Sequence, residues 1–463
     1  MKTTLLDTTL REGELYRCFK LPVKLAVAEN LLRIGIKRIE LTLAYPPRTS
    51  IEDLRKILKF INSLNGESVI HCRACKEDIE NAGSYEAWGI AIYMALSKIH
   101  VQHKFNTSNR EELLDKLAES VEYARQHGFK YIRTTVEDSS RVFLEEGVDK
   151  VVEFVETLRR IGATIVSLPD TAGLLTPPLV RSLFSEIRKR VDMPVSVHFH
   201  DDYGYASANT VEAILAGVDE AHVSILGIGD RNGIADLYQV VAPLMDIHGL
   251  DLGVKRELLR ELYLNFSKLT GIQIPFKHPL SDEARTIRAG VHQFMVSKAP
   301  EGYLPQKKLE HDFKKPLFEA TPFISKKLLE KILENSNINS AQIKELAEYI
   351  GMKAYDNGGK LSISMLYHLL REKGIEVSRE RLVEYFGYEK AYTLIKLRER
   401  ENIEEVFREI LNWREIESAE KVQGDLDIIL RVKLNPGEEK FLEKLSSMFG
   451  RKLQNVSILR IID

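Results

Sequence analysis

The chain has 463 residues, with 66 lysines and arginines against 68 aspartates and glutamates and a formal net charge of −2. This balance excludes the basic footprint of a nucleic-acid-binding protein and the polybasic patch of a membrane-surface protein. No apolar run is long enough to span a bilayer, and three cysteines do not make a disulfide framework. Because residues 1–7 have the pattern of a strand and not of a signal peptide, we expect a cytoplasmic protein.

Up to about residue 250, short β-type runs alternate with longer amphipathic helix patterns. Residues 51–61, for example, are apolar at i, i+3, i+6, i+7 and i+10. Eight such units in about 250 residues predict a TIM (β/α)8 barrel over residues 1–255, with a doubly wound sheet as the alternative. The predicted strands are 3–10, 38–44, 68–74, 89–97, 131–138, 164–170, 194–202 and 221–227.

The βα alternation stops after the predicted barrel. Residues 256–389 have mostly helical patterns, which we interpret as helical subdomains. Residues 390–463 show strand, helix, strand, strand, helix and strand patterns, an order that predicts a ferredoxin-like βαββαβ domain. The predicted strands there are 391–398, 418–422, 425–432 and 456–462, and the predicted helices are 403–413 and 438–449.

Polar residues lie at most of the predicted barrel-strand ends, where TIM barrels carry their catalytic groups. Charged groups inside a barrel are costly unless they are paired. The pattern therefore indicates a polar site for an anionic substrate, with inward salt bridges of the barrel core as the alternative. The residues are Arg11, Glu12, Glu40, His71, Arg133, Thr135, Glu137, Asp170, Thr171, His198 and His200.

Two histidines stand out at the end of the seventh predicted strand. Because strand side chains alternate between faces, His198 and His200 point the same way, about 7 Å apart along the strand. Neutral imidazole is the commonest metal ligand in proteins. The pair therefore predicts a shared divalent ion, and a hydrogen-bonded pair of strand histidines is the alternative.

Three stretches carry a family resemblance: residues 7–14 (DTTLREGE), 198–202 (HFHDD) and 226–234 (LGIGDRNGI). In this order they resemble the signatures of the metal-dependent, Claisen-condensing TIM barrels. That family includes 2-isopropylmalate, citramalate and homocitrate synthases, with hydroxymethylglutaryl-CoA lyase as a cleaving relative. The 226–234 loop and residues 132–139 (IRTTVEDS) look most like homocitrate synthases. Residues 390–463 look like an ACT/Lrp-type amino-acid-sensing domain, so we expect an effector-like role there.

The resemblance implies an acyltransferase that condenses acetyl-CoA with a dicarboxylic 2-oxo acid. The implied acceptor is 2-oxoglutarate, which would give (R)-homocitrate and CoA. One divalent ion, Zn, Mn, Co or Mg, would be held by Glu12, His198 and His200.

The resemblance also assigns substrate-binding roles. Arg11 would stabilise the alkoxide that forms on the oxo acid. Arg133 and Thr135 would hold the distal carboxylate, and Thr171 would contact the chelating end. His71 would line the same pocket.

Proton transfer from acetyl-CoA would involve Glu137 and His292. His292 lies in the predicted helical subdomains, which the resemblance expects to complete the active site of a neighbouring subunit in a homodimer. Gly227, Gly229 and Arg231 would lie on the CoA side.

Two positions depart from the family pattern: Leu15 replaces the usual Gln, and Cys75 replaces a His of fungal-type homocitrate synthases. Both departures concern substrate recognition. A Re-type citrate synthase acting on oxaloacetate is therefore an alternative, because one methylene is worth only about 1–3 kcal/mol of discrimination. The residues also leave open a 2-isopropylmalate or citramalate synthase, a lyase running in the retro-Claisen direction, and a ligand-sensing regulator.

Overall fold

The computed structural model describes residues 3–44, 48–434 and 438–460. The chain divides into two compact units, Met1–Leu262 and Tyr263–Asp463. In the first unit, eight parallel strands pair in chain order and close into a barrel, which confirms the predicted TIM barrel. The strands are β1 Thr4–Asp7, β2 Arg38–Thr42, β3 Glu67–Arg73, β4 Gly89–Ala95, β5 Tyr131–Glu137, β6 Ile165–Asp170, β7 Val195–Phe199 and β8 Glu220–Val223.

Amphipathic helices connect the strands. The helix predicted over residues 51–61 forms as Ile51–Ser63; Ser50 caps it by accepting a hydrogen bond from the N–H of Asp53, and its apolar stripe is buried. The helices that begin in this unit are α1 Gly13–Tyr16, α2 Leu21–Ile34, α3 Ile51–Ser63, α4 Lys76–Gly83, α5 Lys98–Lys104, α6 Arg110–Gln126, α7 Ser139–Glu146, α8 Val148–Ile161, α9 Pro177–Arg190, α10 Ala206–Leu215, α11 Leu237–Asp246 and α12 Leu259–Thr270.

The second unit begins with a helical segment whose apolar residues form a core of their own. Two short strands, β9 Thr286–Ile287 and β10 Leu317–Phe318, pair in parallel within it. The helices are α13 Gly290–Val296, α14 Gln306–His311, α15 Lys326–Ile332, α16 Ser340–Asp356, α17 Ile363–Glu372 and α18 Arg379–Phe386.

The unit ends in the predicted β-α-β-β-α-β order, with an antiparallel sheet in the order β12-β13-β11-β14. Its two helices share an apolar core with the sheet. The elements are β11 Glu389–Leu397, α19 Ile403–Leu411, β12 Ile416–Lys421, β13 Ile428–Leu434, α20 Glu438–Phe449 and β14 Leu453–Arg460. The end of the last predicted strand, residues 461–462, lies outside the described residues.

All four strands of this sheet begin at positions that differ from the prediction; β11 begins two residues early, at Glu389, and β14 three residues early, at Leu453. β12 begins at Ile416, two residues early, because an irregularity between Ile416 and Ser418 hides the alternation. β13 begins at Ile428, three residues later than predicted, and Asp427 just before it accepts a hydrogen bond at its carboxylate from the N–H of Leu397. Among the helices of the described residues, none has the length and apolarity that crossing a bilayer requires.

Candidate active site

The two strand histidines meet at the carboxyl end of the barrel. The ring centroids of His198 and His200 lie 5.1 Å apart, and both side chains are buried. Burial lowers the pKa of His198 well below its usual range, and it lowers the pKa of His200 as well, so both rings are neutral. The Nδ1 atom of each ring is buried and has no hydrogen-bond partner. Two neutral imidazoles with unsatisfied nitrogens fit the metal prediction better than the hydrogen-bonded alternative.

Glu12, the third predicted ligand, is tied to other groups. One carboxylate oxygen accepts a hydrogen bond from the N–H of Asp230 at 3.0 Å, and the other is paired with Arg11. In the described part of the chain, no three His, Cys, Asp or Glu side chains are arranged to hold a metal ion. The structure thus brings His198 and His200 together, whereas Glu12 would have to exchange Arg11 for the ion.

Glu40, a buried carboxylate at the centre of the barrel, joins the two predicted substrate arginines. It accepts hydrogen bonds from the Nε of Arg11 at 2.7 Å, from the hydroxyl of Thr8 at 2.7 Å and from Arg133. Burial alone would raise the pKa of Glu40, but the two guanidinium groups outweigh it and hold the pKa well below its usual range. The alternative of an inward salt bridge is therefore realised at Arg133, whose side chain is only 1 % exposed.

The ion-pair network continues towards the opposite end of the barrel. Arg133 donates to the ring of His222 at 2.9 Å, and that ring contacts Glu220 at 3.0 Å. Glu220 in turn pairs with Arg38 and accepts a hydrogen bond from the hydroxyl of Tyr131. Burial would raise the pKa of Glu220, but the contact with His222 and the charges of Arg38 and Arg133 lower it to about 2.

Sequence reasoning missed these lower partners of the network. Glu220 and His222 lie two residues apart, which is the same signal that singled out His198 and His200. The predicted eighth strand began at residue 221, one residue too late to include Glu220. The alternation of Glu220 and His222 could therefore be read from the sequence, but a strand predicted to begin at residue 221 left Glu220 out.

Thr135 and Thr171, the two threonines assigned to substrate, have different surroundings. The hydroxyl of Thr135 is buried and has no hydrogen-bond partner. The hydroxyl of Thr171 accepts a hydrogen bond from the N–H of Asp138 at 2.9 Å, so its proton remains available for donation. Asp138 adopts a left-handed backbone conformation with φ 63°, which turns the chain sharply after β5.

The other two predicted residues of this rim are His71 and Glu137. Glu137 accepts two hydrogen bonds from the Nζ of Lys104, at 2.6 and 2.9 Å. The ring of His71 stacks on Tyr93 at 4.8 Å, and burial lowers its pKa well below the usual range. His71 is therefore a neutral hydrogen-bonding group, while Glu137 has a basic partner within its own unit.

The loop after β8 is hydrogen-bonded through Arg231 to residues that follow β6 and β7. Arg231, a non-glycine residue at φ 54°, makes two hydrogen bonds to Asp202, at 2.7 and 2.8 Å, and a third to the carbonyl of Thr171. A Cβ at Gly229 would lie 3.0 Å from the Cγ of Glu12 and 3.2 Å from one of its carboxylate oxygens, so any larger residue here would push on this side chain. Gly227, at φ 62°, makes the turn that begins the loop.

His292 lies on α13 in the second unit, where its side chain is exposed. Its ring packs against that of Tyr303 at a centroid distance of 4.2 Å, with the two planes tilted by 31°. The neighbouring Gln293 is fully buried; its side chain accepts a hydrogen bond from the N–H of Ser325 and donates to the carbonyl of Glu319. The hydrogen bonds of Gln293 hold the short helix α13 in place, and His292 lies on its exposed surface.

The chain is similar in sequence to several curated synthases. It is 36% identical over 307 residues to a "Probable 2-isopropylmalate synthase" of Methanopyrus kandleri, a match covering 66% of this chain and 60% of that protein. It is 36% identical over 312 residues to a homocitrate synthase of Sulfurisphaera tokodaii, a match covering 65% of this chain and 66% of that protein. It is 34% identical over 310 residues to an (R)-citramalate synthase of Methanocaldococcus jannaschii, a match covering 66% of this chain and 62% of that protein. The chain thus spans about three fifths of the length of several curated relatives that it matches.

Among solved structures, an HMG-CoA lyase of Bacillus subtilis shares the fold with a TM-score of 0.52 at 22% identity; the match covers 59% of this chain and 95% of that one. The HMGL-like family model matches residues 2–264, which contain the closed barrel and every predicted site residue except His292. The barrel with its paired histidines and this match over more than half of the chain lead to one conclusion: the chain belongs to the HMGL-like family.

Proposed function

We propose that this protein is a metal-dependent acyltransferase that condenses acetyl-CoA with a dicarboxylic 2-oxo acid, with 2-oxoglutarate as the acceptor. The observation that carries the proposal is the buried pair His198 and His200, whose rings lie 5.1 Å apart with unsatisfied Nδ1 atoms and within the field of Arg11. Relatives named homocitrate, citramalate and 2-isopropylmalate synthase support this class of reaction.

His198 and His200 would hold one divalent ion together with Glu12. When bound, the ion acts as a Lewis acid that polarises the carbonyl of the oxo acid. The hydrogen bond from the N–H of Asp230 holds one oxygen of the Glu12 carboxylate, and the other oxygen, now paired with Arg11, would face the ion. Mixed carboxylate and imidazole ligands suit Zn, Mn, Co or Mg.

Arg11 would then stabilise the negative charge that develops on the oxygen of the oxo acid. Its Nε is held by Glu40, so the guanidinium is positioned before substrate arrives. Arg133 is proposed to contact the distal carboxylate of the oxo acid. Its Nε–H is buried without a partner, which supports that role even though Glu40 and His222 engage its other nitrogens.

The base that removes the proton from acetyl-CoA is proposed to be His292, acting with Glu137. We propose that His292 comes from the second subunit of a homodimer. Its exposed ring, braced by Tyr303, suits a group that acts outside its own helix. The Nζ of Lys104 contacts both carboxylate oxygens of Glu137.

Residues 390–463 are proposed to be an effector-binding domain, and residues 256–389 are proposed to be the helical part that completes the site. The ferredoxin-like order of the C-terminal elements supports the first assignment. A Re-type citrate synthase remains the second candidate, because oxaloacetate presents the same chelating end and a second carboxylate.

Substrate profiling tests the proposal. CoA release is measured with 2-oxoglutarate, oxaloacetate, pyruvate and 2-oxoisovalerate, each with and without EDTA. We expect the highest rate with 2-oxoglutarate and loss of that rate in EDTA. The variant His200→Asn should be inactive, and the matched variant His248→Asn, at an exposed histidine of the same unit, should keep full activity. Release that survives chelation would exclude the metal mechanism, and preference for 2-oxoisovalerate would exclude the role of Arg133.

A further inference from the structure

Helix α5 lies beside the carboxyl end of β5 and turns two polar side chains towards it. His100 and Lys104 are four residues apart and therefore share one face of the helix. Lys104 contacts the carboxylate of Glu137 at 2.6 Å. The Nδ1 of His100 lies 3.9 Å from the Oδ2 of Asp138, which is the next residue along the chain. One face of α5 thus meets two consecutive acids at the end of one barrel strand.

Two neighbours place the pair of His100 and Asp138 at the rim of the proposed site. The N–H of Asp138 donates to the hydroxyl of Thr171, the threonine that is proposed to contact the oxo acid. The residue before Asp138 is Glu137, the carboxylate that is proposed to act on acetyl-CoA. His100 and Asp138 therefore lie beside groups that would meet both substrates.

Both side chains of this pair have an unsatisfied atom. The Oδ2 of Asp138 accepts a hydrogen bond from the Nε of Arg141 at 2.8 Å. The other oxygen, Oδ1, is buried without a partner, and so is the Nδ1 of His100. Buried polar atoms in folded proteins nearly always have a partner. A rotation of the ring or of the carboxylate would let the Nδ1–H of His100 donate to Asp138. Catalytic hydrogen bonds are often this long before substrate binds and tighten in the complex.

That hydrogen bond would decide which nitrogen of His100 carries the proton. With the proton on Nδ1 and held by Asp138, the Nε2 of a neutral imidazole is an acceptor. The side chain is 28% exposed although Nδ1 is buried, so the exposed edge of the ring is the one that carries Nε2. A histidine that a carboxylate orients on one side, and that is open on the other, can act as a general base towards a nucleophile.

The proposed reaction contains a step that needs such a base. Joining the acetyl group to the oxo acid forms a carbon–carbon bond and leaves a thioester to CoA. Free CoA appears only when water cleaves that thioester, and water needs a base to act as a nucleophile. His292 and Glu137 would still hold the proton taken from the acetyl group at that point. They could not accept a second proton from water at the same time.

We propose that His100, oriented by Asp138, is the general base that activates water to hydrolyse the condensed thioester. The assignment rests on the reaction proposed above and supplies its second step. Nε2 takes a proton from water as the water oxygen bonds to the carbonyl carbon of the thioester. The C–S bond breaks as the carbonyl forms again, and the proton on Nε2 passes to the sulfur of CoA. The products are the free acid and the thiol, and His100 returns to its starting state.

The variant His100→Ala separates hydrolysis from condensation. The protein is mixed with acetyl-CoA, a divalent ion and the oxo acid that gives the highest rate in the profiling assay. Free CoA is measured with a thiol reagent, and the condensed thioester is measured by mass spectrometry after acid quenching. We expect CoA release to fall by about 10²–10⁴-fold, the usual contribution of a general base, while the condensed thioester accumulates.

Three further variants complete the test. His100→Gln keeps a polar side chain and should behave as His100→Ala does. Asp138→Asn should slow CoA release by roughly tenfold, the effect of losing one charge-assisted hydrogen bond, and asparagine tolerates the left-handed backbone conformation at this position. The matched control, His103→Ala, removes an exposed histidine from the same helix and should leave both measurements unchanged.

The inference is overturned if both His100 variants release CoA as fast as the natural protein, or if release falls without accumulation of the thioester. A synthetic CoA thioester of the condensed product, supplied directly, separates this inference from the proposed function. Hydrolysis that depends on His100, in a protein that condenses no oxo acid, would refute the proposed reaction alone. Condensation followed by hydrolysis that does not depend on His100 would refute the present inference alone.

Discussion

Replacing Glu40 by Gln tests the buried ion-pair network that supports the proposed site. Glu40 is fully buried and accepts hydrogen bonds from Thr8, Arg11 and Arg133. Glutamine has nearly the same shape, but it carries no charge and one of its two acceptors becomes an N–H2 donor. That donor would face a guanidinium group, so the substitution leaves two buried cations short of their common partner.

We expect Glu40→Gln to lower the free energy of unfolding by a large amount. Breaking a buried ion pair by removing one partner costs about 3–5 kcal/mol, because an uncompensated charge stays in the interior. After the change, Arg133 keeps His222 and a longer contact of 3.9 Å to Glu220, which places the loss nearer the lower end of that range. The matched control is Glu67→Gln. Glu67 pairs with Arg38 at the other end of the barrel, and its side chain is 31% exposed, so we expect a loss of less than about 1 kcal/mol.

Urea unfolding of both variants, followed by circular dichroism, measures the two losses in the free energy of unfolding. We also expect Glu40→Gln to lower the rate of CoA release, because Arg11 loses the group that positions its Nε. If Glu40→Gln costs no more than Glu67→Gln, then the buried network does not stabilise the barrel and the reasoning is wrong.

Three further predictions follow from other buried groups. Burial raises the pKa of Asp7 from 3.8 to about 7, so between these pH values the folded state keeps a proton that the unfolded state has lost. The free energy of unfolding should therefore fall by up to roughly 4 kcal/mol as pH rises from 4 to 7. Asp7→Asn should flatten this slope in unfolding curves measured across that range. Gly229→Ala should weaken metal retention, read by metal analysis after dialysis, because its Cβ would displace the Glu12 carboxylate; unchanged metal content would contradict this. Lys24→Met should cost about 3 kcal/mol in urea unfolding, since it leaves the buried Glu14 without its lysine, whereas an equal midpoint for variant and natural protein would refute the pairing.

The sequence alone determined the order of the elements. Hydrophobic periodicity predicted eight βα units, and each of the eight barrel strands overlaps its predicted range, although β1 and β8 end three and four residues earlier than predicted. Strand alternation likewise placed His198 and His200 on one face, and their rings lie 5.1 Å apart. These features are local, because each depends on residues only a few positions apart.

Tertiary structure decided which charges are partners. Arg38 and Glu220 are separated by 182 residues, and Arg133 and Glu40 by 93. No local pattern can indicate such pairs, because they exist only once the barrel closes and β8 lies beside β1. Closure therefore placed Arg133 in a buried network with Glu40 and His222, partners that its own strand does not contain. A sequence reports which side chains share a face of a strand, whereas the distance between faces of distant strands is a property of the folded chain.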